Sequence, residues 1–592
     1  MMNAKTNNRK VNYIKVVAGG LANCWHAHPP LFIGLMIISA LLCAVQVGEV
    51  FTMRHLFDTV AKYIEGNLLI NDVFMAVIPM AALLIAFPVI NIFAYLGQGY
   101  FWRRGSGYLM ARYHERIQRI PLIDFEKAET FDRMKKAQIG SEDAPSASRS
   151  VIQFTFYFIP YLVFTSIFLV SVKPILLVAL LIIFASVMLA QVLRAGVIRR
   201  FTEESAGVRR QMDYLESCIT GKEYVKETRT LGATGYFFEL FIDSMKRFNG
   251  ASMKAERKVA LIELLLRAVN VLGYIGILAL LVYYVVDGSI TVGAFASVFY
   301  SIERITDLLK GMVDYFGELL KEMGTASFTH EFLSTPKEEG NAQVLEKKAD
   351  ISLENVTFAY PGGDSNVLRN VNLTIKQGET LAIVGENGAG KTTLTKIITG
   401  LYNPTSGSVR YGGEDIGRYV VKSRFNRISS VFQNFIRYKL TAQENVAISD
   451  VDSSSPIDRA TNEAGVNMAL LPNGSDTILS REFDGTELSG GQWQRMAIAR
   501  GLYRDHDVII LDEPTAAIDP IEESNIFRLF SETAKEKTAI LVTHRLGSTK
   551  IADRILLMED GEICELGTHE QLMAQRGKYA QMYHEQASWY ER

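Results

Sequence analysis

Only four cysteines occur in 592 residues: Cys24, Cys43, Cys218 and Cys564. They lie far apart, with no pair at metal-ligand spacing, which excludes a disulfide framework and a structural zinc site. An excess of one charge sign is also missing, since 62 Lys+Arg face 64 Asp+Glu for a formal net charge of -2. Without a basic excess or basic face the chain does not read as a nucleic-acid binder. Charged residues make up only 21%, hydrophobic ones 48%, and the mean hydropathy is +0.11. That balance excludes disorder and is apolar for a soluble enzyme. The length exceeds one core of ~100–200 residues, so more than one domain is expected.

The apolar excess sits before about residue 330. Six spans are expected at about 31–50, 73–98, 151–172, 174–195, 262–286 and 291–320, within a membrane domain over 1–330. A hydrocarbon core of ~30 Å needs ~20 helical residues, and each run is long enough. The sixth is less pure, carrying Glu303, Arg304 and Asp307. The turns at Lys173-Pro174 and Asp287-Gly288 are short, so the helices they join form hairpins. The segments 101–149 and 193–258 are long and rich in Arg and Lys, which places them and the amino terminus in the cytoplasm. Both show helical periodicity, so the spans should continue as helices beyond the bilayer. No cleavable signal peptide is expected, because the first apolar run is span-length.

Residues 331–350 read as a polar linker, with Pro336, Gly340, Lys347 and Lys348. From 351 to 592 short β-rich runs (351–358, 380–384, 428–432, 508–511 and 539–543) alternate with helical patterns. That alternation predicts an α/β domain on a largely parallel sheet. The expected fold class is therefore an all-α six-helix membrane domain fused to an α/β phosphate-loop nucleotide-binding domain.

The chemistry lies in this second half. Gly385, Glu386, Asn387, Gly388, Ala389, Gly390, Lys391 and Thr392 fit the phosphate-loop pattern, between a strand and a helix that also carries Thr393. Its glycines let backbone N–H groups turn inward around phosphate, helped by the helix N-terminus. Lys391 is placed to reach the β- and γ-phosphates of ATP, and the Thr392 hydroxyl to hold Mg²⁺. Val508-Ile-Ile-Leu-Asp512-Glu513 is the expected companion, an apolar strand with an acidic pair at its carboxyl end. Asp512 would bind Mg²⁺ and Glu513 polarise the attacking water.

Leu488-Ser489-Gly490-Gly491-Gln492 resembles the signature of the ATP-binding cassette transporters, and further motifs follow in that family's order. Tyr360 resembles the aromatic that stacks on adenine, Gln433 the Gln-loop residue (also a Mg²⁺ contact), Asp519 the intersubunit Asp, and His544 the switch histidine. The resemblance covers the whole chain and implies an exporter half-transporter, with Ser489, Gly490, Gly491 and Gln492 meeting ATP held on a second cassette. It implies a dimer; a homodimer is the simplest case, and a heterodimer with a related half-transporter stays open. Coupling is expected through short helices in 122–135 and 214–231. A channel of the same architecture would usually carry degenerate catalytic residues, and none are seen; a soluble cassette ATPase is excluded by the spans.

Several phrases resemble the lantibiotic and bacteriocin exporter branch: Phe432–Tyr438, Gly491–Gln494, Gln586–Tyr590 and Ile123–Asp132. About 30 residues precede the first span, too few for the leader-trimming peptidase that one peptide-exporter branch carries, and Cys24 with His26 and His28 reads as an interfacial cluster beside Trp25. The expected function is ATP-driven export of an amphipathic or hydrophobic substrate, a peptide first, with multidrug or lipid export as the alternative, across a bacterial cytoplasmic membrane. Polar residues inside spans are costly in lipid and tend to face a cavity. Gln46, Glu49, Asn91, Asn270 and Glu303 are candidate cavity residues, with Gln153, Tyr157, Glu263, Arg267 and Arg304. Glu49 and Glu303 would give the cavity anionic character suited to a cationic cargo; the opposing reading is salt bridging between helices.

Overall fold

A computed structural model describes residues 13–335, 349–363, 365–419, 421–425, 427–513 and 537–590. The chain divides into two units: Met1–Ile117 with Arg133–Thr335, and Gln118–Asp132 with Pro336–Arg592.

The first unit is helical. Its described elements are α1 (Tyr13–Ala27), α2 (Pro29–Ile64), α3 (Ile70–Ile117), α4 (Ala128–Gln153), a π-turn at Phe154–Phe158, α5 (Ile159–Val172), α6 (Pro174–Thr220), α7 (Val225–Thr230), α8 (Thr234–Val286) and α9 (Val292–Ser334). Among the described residues four segments are long and apolar enough to cross a membrane: Pro29–Ile64, Ile70–Ile117, Ala128–Val172 and Thr234–Val286. Only 11% of the most apolar window of α8 is buried, so Leu264, Leu265 and Leu272 face outward as lipid-facing side chains do. The other two expected spans fall on α6 and α9, and α9 carries Arg304, Asp307, Lys310 and Asp314. Every long helix outruns its expected span, because the polar segments beyond the bilayer keep helical periodicity and meet no breaker until Gly221 or the 118–127 stretch. α3 even continues through Pro79 and Pro88.

Close helix crossings lock this unit. A Cβ on Gly140 of α4 would stand 2.2 Å from the Thr325 carbonyl of α9. Thr329 donates to the Ala137 carbonyl at 2.7 Å and Thr325 to the Asp143 carboxylate at 2.6 Å. Gly293, at the start of α9, lies against α2, and its N–H donates to Asp58 at 2.9 Å. At the amino end, His28 caps α2 by accepting from Leu31 N–H at 3.2 Å, and Trp25 meets Phe32 edge-on at 5.6 Å. Cys24 is buried, which pushes its thiol up to about 11. Among the described residues no His, Cys, Asp and Glu group could hold a metal ion.

The second unit is α/β. Strands β1 (Ile351–Phe358), β2 (Leu368–Ile375), β4 (Ser406–Tyr411) and β5 (Glu414–Asp415) form an antiparallel sheet in the order β2-β1-β4-β5. A six-stranded sheet has the order β10-β9-β3-β8-β7-β6, from β3 (Thr380–Gly385), β6 (Ile428–Val431), β7 (Val508–Asp512), β8 (Thr538–Val542), β9 (Arg554–Glu559) and β10 (Glu562–Gly567). Its neighbours pair in parallel except β9 with the edge strand β10. β7 and β8 are buried at every residue, as central parallel strands are. The expected coupling segment 122–135 holds a five-residue 3₁₀ turn, Leu122–Glu126, which belongs to this unit and packs Leu122 and Ile123 on its core. In the 214–231 segment the separate helix is α7 alone.

Candidate functional site

The carboxyl ends of β3 and β7 build the site. After β3 the chain turns through Gly385 at φ 148°, where a Cβ would stand 2.3 Å from the Met558 carbonyl of neighbouring β9. Gly390 at φ 100° then opens α10 (Lys391–Ile398). These left-handed conformations suit glycine alone, and they turn the loop's backbone into a cradle at a helix N-terminus. Lys391 is buried and folds back over this loop, its Nζ donating to the carbonyls of Gly385 at 2.8 Å and Glu386 at 2.9 Å. Burial pulls its ammonium down, while Glu513 and Asp512 hold it up. An ammonium so placed is ready to exchange carbonyls for phosphate oxygens.

Asp512 closes β7 at 1% exposure, its carboxylate beside the Thr392 hydroxyl and otherwise poor in donors. Burial pushes its carboxyl up; Thr392 pulls it back down, as does Lys391. A buried carboxylate poor in donors is costly unless a cation completes it, so Asp512 and the adjacent Thr392 hydroxyl fit a divalent ion.

Glu513 follows at φ 49°, a left-handed conformation that a non-glycine residue adopts only under constraint. Its N–H donates to the Val542 carbonyl of β8 at 3.0 Å, which fixes the turn. The side chain meets Gln433, whose Nε2 donates to Oε2 at 2.6 Å, and His544, whose Nδ1 lies 3.5 Å from Oε1. The structure therefore brings Lys391, Thr392, Asp512, Glu513, Gln433 and His544 to one end of the parallel sheet.

Tyr360 stands beside this cluster. Its hydroxyl is 3.3 Å from that of Thr393, and its ring packs edge-on against Phe358 and Tyr402 with the Lys396 ammonium 5.7 Å above it. Ser489 caps α11 (Gly490–Tyr503): its hydroxyl accepts from Gln492 N–H at 3.3 Å while Gln492 Oε1 accepts from Ser489 N–H at 2.9 Å. Among the described residues neither side chain hydrogen-bonds the phosphate loop. Asp519 lies outside the described residues.

Three contacts have no counterpart in motif reading. Gln586, on α12 (Lys578–Tyr590), spans the loop after β8, bonding the His544 carbonyl and the Leu546 N–H. Lys578 pairs with Glu386 of the phosphate loop at 3.3 Å. Glu126 of the 3₁₀ turn accepts from the Tyr402 hydroxyl and lies 3.9 Å from Lys396. Gln586 and Glu126 each fell in a phrase with a family flavour, and Glu386 in the phosphate loop, but none of these contacts was expected.

Within the membrane unit, Glu49 is 1% exposed, accepts from the Tyr300 hydroxyl at 2.7 Å and pairs with Arg304 at 3.7 Å. Arg304 also lies over the rings of Phe87 and Tyr300. Of the two readings left open for Glu49, these contacts are the salt bridge between helices: its charge is compensated between α2 and α9. Gln46 accepts from Tyr157 at 2.9 Å, Gln153 and the Asn270 Oδ1 are buried, and Asn91 is exposed. Glu263 pairs with Arg194 at 3.8 Å and with Arg267 at 3.7 Å. The side chain of Glu303 lies outside the described residues.

A phosphate-loop cassette on one chain with a span-forming helical unit defines a membrane-bound, nucleotide-driven machine. Comparison with known proteins makes this specific. The ABC transporter family model matches residues 368–516. The chain is 31% identical to the subtilin transport ATP-binding protein SpaT of Bacillus subtilis, over 78% of this chain and 77% of that protein. It is 28% identical to the nisin transport ATP-binding protein NisT of Lactococcus lactis subsp. lactis, over 93% and 92%. The ATP-dependent lipid A-core flippase of Escherichia coli (strain K12) matches at 36% identity over 50% of this chain and 51% of the flippase. In fold, a bacterial Atm1-family ABC exporter solved with ATP bound superposes with a TM-score of 0.77 at 22% identity, over 94% of this chain and 98% of that one. The chain belongs to the ABC transporter family. It is an ATP-binding, ATP-hydrolysing membrane transporter of exporter architecture, and exporter half-transporters of this kind function as dimers.

Proposed function

We propose that the chain exports a peptide of the lantibiotic or bacteriocin class across a bacterial cytoplasmic membrane, as a homodimer with two competent ATP sites. The supporting observation is the extent of likeness. The subtilin and nisin transport proteins match over 78% and 93% of this chain, membrane unit included, whereas the flippase matches over 50%. Substrate contacts lie in the membrane unit, so likeness there bears on cargo while cassette likeness does not. Lipid or drug export is the second reading, favoured by the higher identity of the flippase segment.

In this reading Lys391 and the backbone of Gly385–Thr393 hold the β- and γ-phosphates, and Tyr360 takes the adenine. Thr392, Asp512 and Gln433 would hold Mg²⁺, which neutralises charge on the phosphates. Glu513 orients and polarises the attacking water, with Gln433 and His544 fixing its carboxylate; positioning and electrostatics carry most of phosphoryl transfer. Ser489, Gly490, Gly491 and Gln492 receive the γ-phosphate bound by the second copy, beside Asp519.

The test is ATPase rate in lipid nanodiscs against cationic amphipathic peptides, hydrophobic drugs and lipids, with Glu513→Gln as control. Losing a general base costs ~10²–10⁴-fold. Saturable stimulation by peptides alone supports the proposal, and stimulation mainly by drugs or lipids replaces it with the second reading. A wild-type rate no higher than that of Glu513→Gln overturns the homodimer.

A further inference from the structure

Glu386 is the one carboxylate in the sequence of the phosphate loop, Gly385–Thr392. A fixed anion there opposes the loop's task, since backbone N–H groups and a helix N-terminus gather positive potential for phosphate. The sheet adds a second one. β3 and β9 pair in parallel with Gly385 opposite Met558, so the next residues, Glu386 and Glu559, bring two carboxylates to neighbouring strand ends. The Lys578 ammonium bridges them, 3.3 Å from Glu386 Oε1 and bonded to Glu559.

Nothing in α12 itself calls for a cation at this place. Lys578 is its first residue, and a positive charge in the first turn opposes the helix dipole. Glu565 offsets this by accepting from the N–H groups of Lys578 at 2.6 Å and Tyr579 at 3.4 Å. A Cβ on Gly577 would stand 2.4 Å from Glu565 Oε1, and Tyr579 is buried, so the helix start is held and presents the lysine at a fixed place. Lys391 holds the same loop residue by its backbone, Nζ donating to the Glu386 carbonyl at 2.9 Å. Lys391 must release that carbonyl to meet phosphate, whereas Lys578 can keep its carboxylate throughout.

We propose that Lys578 sets the affinity for ATP by neutralising Glu386, as a positioning residue that touches the loop and not the nucleotide. The inference rests on the phosphate loop holding the nucleotide, as proposed above, and is independent of the cargo. Without the ammonium, Glu386 and Glu559 repel one another and an uncompensated charge stands on the loop that receives the phosphates. Gln586 reaches the loop that carries His544 from ~12 Å further along α12, so the two ends of this helix act on different steps.

Titration of the full-length protein in nanodiscs with a fluorescent ATP analogue, alongside KM and kcat for ATP, tests this at low and high salt. Lys578→Gln should weaken binding and raise KM about threefold at low salt, with kcat within about twofold of wild type, the range open to an exposed pair that salt screens. The difference should shrink at high salt. Lys578→Arg should restore wild-type affinity, and adding Glu386→Gln to Lys578→Gln should recover what was lost. Glu386→Gln alone covers the case in which Lys578→Gln does not fold: with the anion gone, affinity should equal or exceed that of wild type. Wild-type affinity in Lys578→Gln, a loss that salt leaves untouched or that Glu386→Gln does not recover, or weaker binding by Glu386→Gln alone overturns the proposal. So does a fall in kcat with KM unchanged, which would assign Lys578 to the loop that carries His544. Lys391→Ala separates this from the reading of the loop. ATP binding retained in that variant removes the loop from the nucleotide, while binding lost there with Lys578→Gln unaffected removes Lys578 alone.

Discussion

Gln586 grips the backbone on both sides of the loop that carries His544: its Nε2 donates to the His544 carbonyl at 2.6 Å and its Oε1 accepts from Leu546 N–H at 2.8 Å. Thr543 ties the loop from within by accepting from Arg545 N–H at 3.0 Å, while the His544 side chain itself is 50% exposed. The same tail helix buries Tyr579 against Thr549, hydroxyl to hydroxyl at 2.8 Å. Two hydrogen bonds are worth roughly 1–3 kcal/mol net. Gln586→Ala is therefore expected to lower kcat for ATP by about tenfold and leave KM for ATP nearly unchanged, because the loop touches Glu513 and not the phosphate cradle. A parallel rise in KM would show that the tail helix supports nucleotide binding instead.

Glu126 connects the Leu122–Glu126 turn to the aromatic corner of the ATP site. It bonds Tyr402 and approaches Lys396, whose ammonium lies over the rings of both Tyr360 and Tyr402. Hydrogen bonding and charge from Glu126 help, after burial, to push the Tyr402 hydroxyl well above its ordinary value, so the phenol stays a donor to the carboxylate. Glu126→Ala should keep at least half of the basal ATPase rate and abolish stimulation by transported substrate. The measurement is the ratio of stimulated to basal rate in nanodiscs, and a ratio equal to wild type rejects this route.

Much of the nucleotide site was legible because each element combines a buried strand with a motif at its carboxyl end. Val508–Asp512 is apolar up to its acidic residue, and Thr380–Gly385 runs directly into the glycines. In the antiparallel sheet β1 was legible and its partners were not. Leu368–Ile375 alternates buried and exposed positions and carries Asn370 and Asn372 on its open side, so it reads as loop. β9 and the edge strand β10 escaped for a related reason, being joined by the tight Asp560-Gly561 turn that leaves little pattern between them. The long helices run past the apolar spans, as the helical periodicity of their polar extensions predicts. The pairing of Glu49 with Arg304 could not be chosen over an open cavity, since two helices distant in sequence must first be docked. Gln586 bonds a loop 42 positions away, and no local pattern announces that.

The Glu49–Arg304 contact makes a prediction about asymmetry. Glu49 is 1% exposed and Arg304 36%, so losing the cation strands the more deeply buried charge. Arg304→Gln should cost about 3–5 kcal/mol and Glu49→Gln clearly less. The double variant should recover most of the loss, as both charges are gone together. Thermal unfolding of the four proteins in one detergent measures this. Recovered stability with unchanged peptide-stimulated ATPase marks the pair as structural, whereas recovered stability with stimulation lost returns Glu49 to the substrate path.

His506 sets an acid limit on the nucleotide-binding unit. It is 2% exposed, its Nδ1 lies 2.5 Å from the Arg504 carbonyl and its Nε2 3.1 Å from the Lys537 ammonium. Nδ1–H donates and Nε2 accepts, which requires the neutral ring. Burial, reinforced by the Lys537 charge, pulls the imidazole down to about 4, against about 6.5 in an unfolded chain. Protonation therefore favours unfolding. The contribution is complete above pH 6.5 and is lost as pH falls from 6.5 toward about 4, reaching about 2 kcal/mol at pH 5. His506→Gln keeps a donor and an acceptor but cannot titrate. Its unfolding temperature should lie below that of wild type at pH 7.5 and show a smaller drop between pH 7.5 and pH 5. Parallel pH profiles for the two proteins would mean that the ring is already protonated in the folded state or exposed to water.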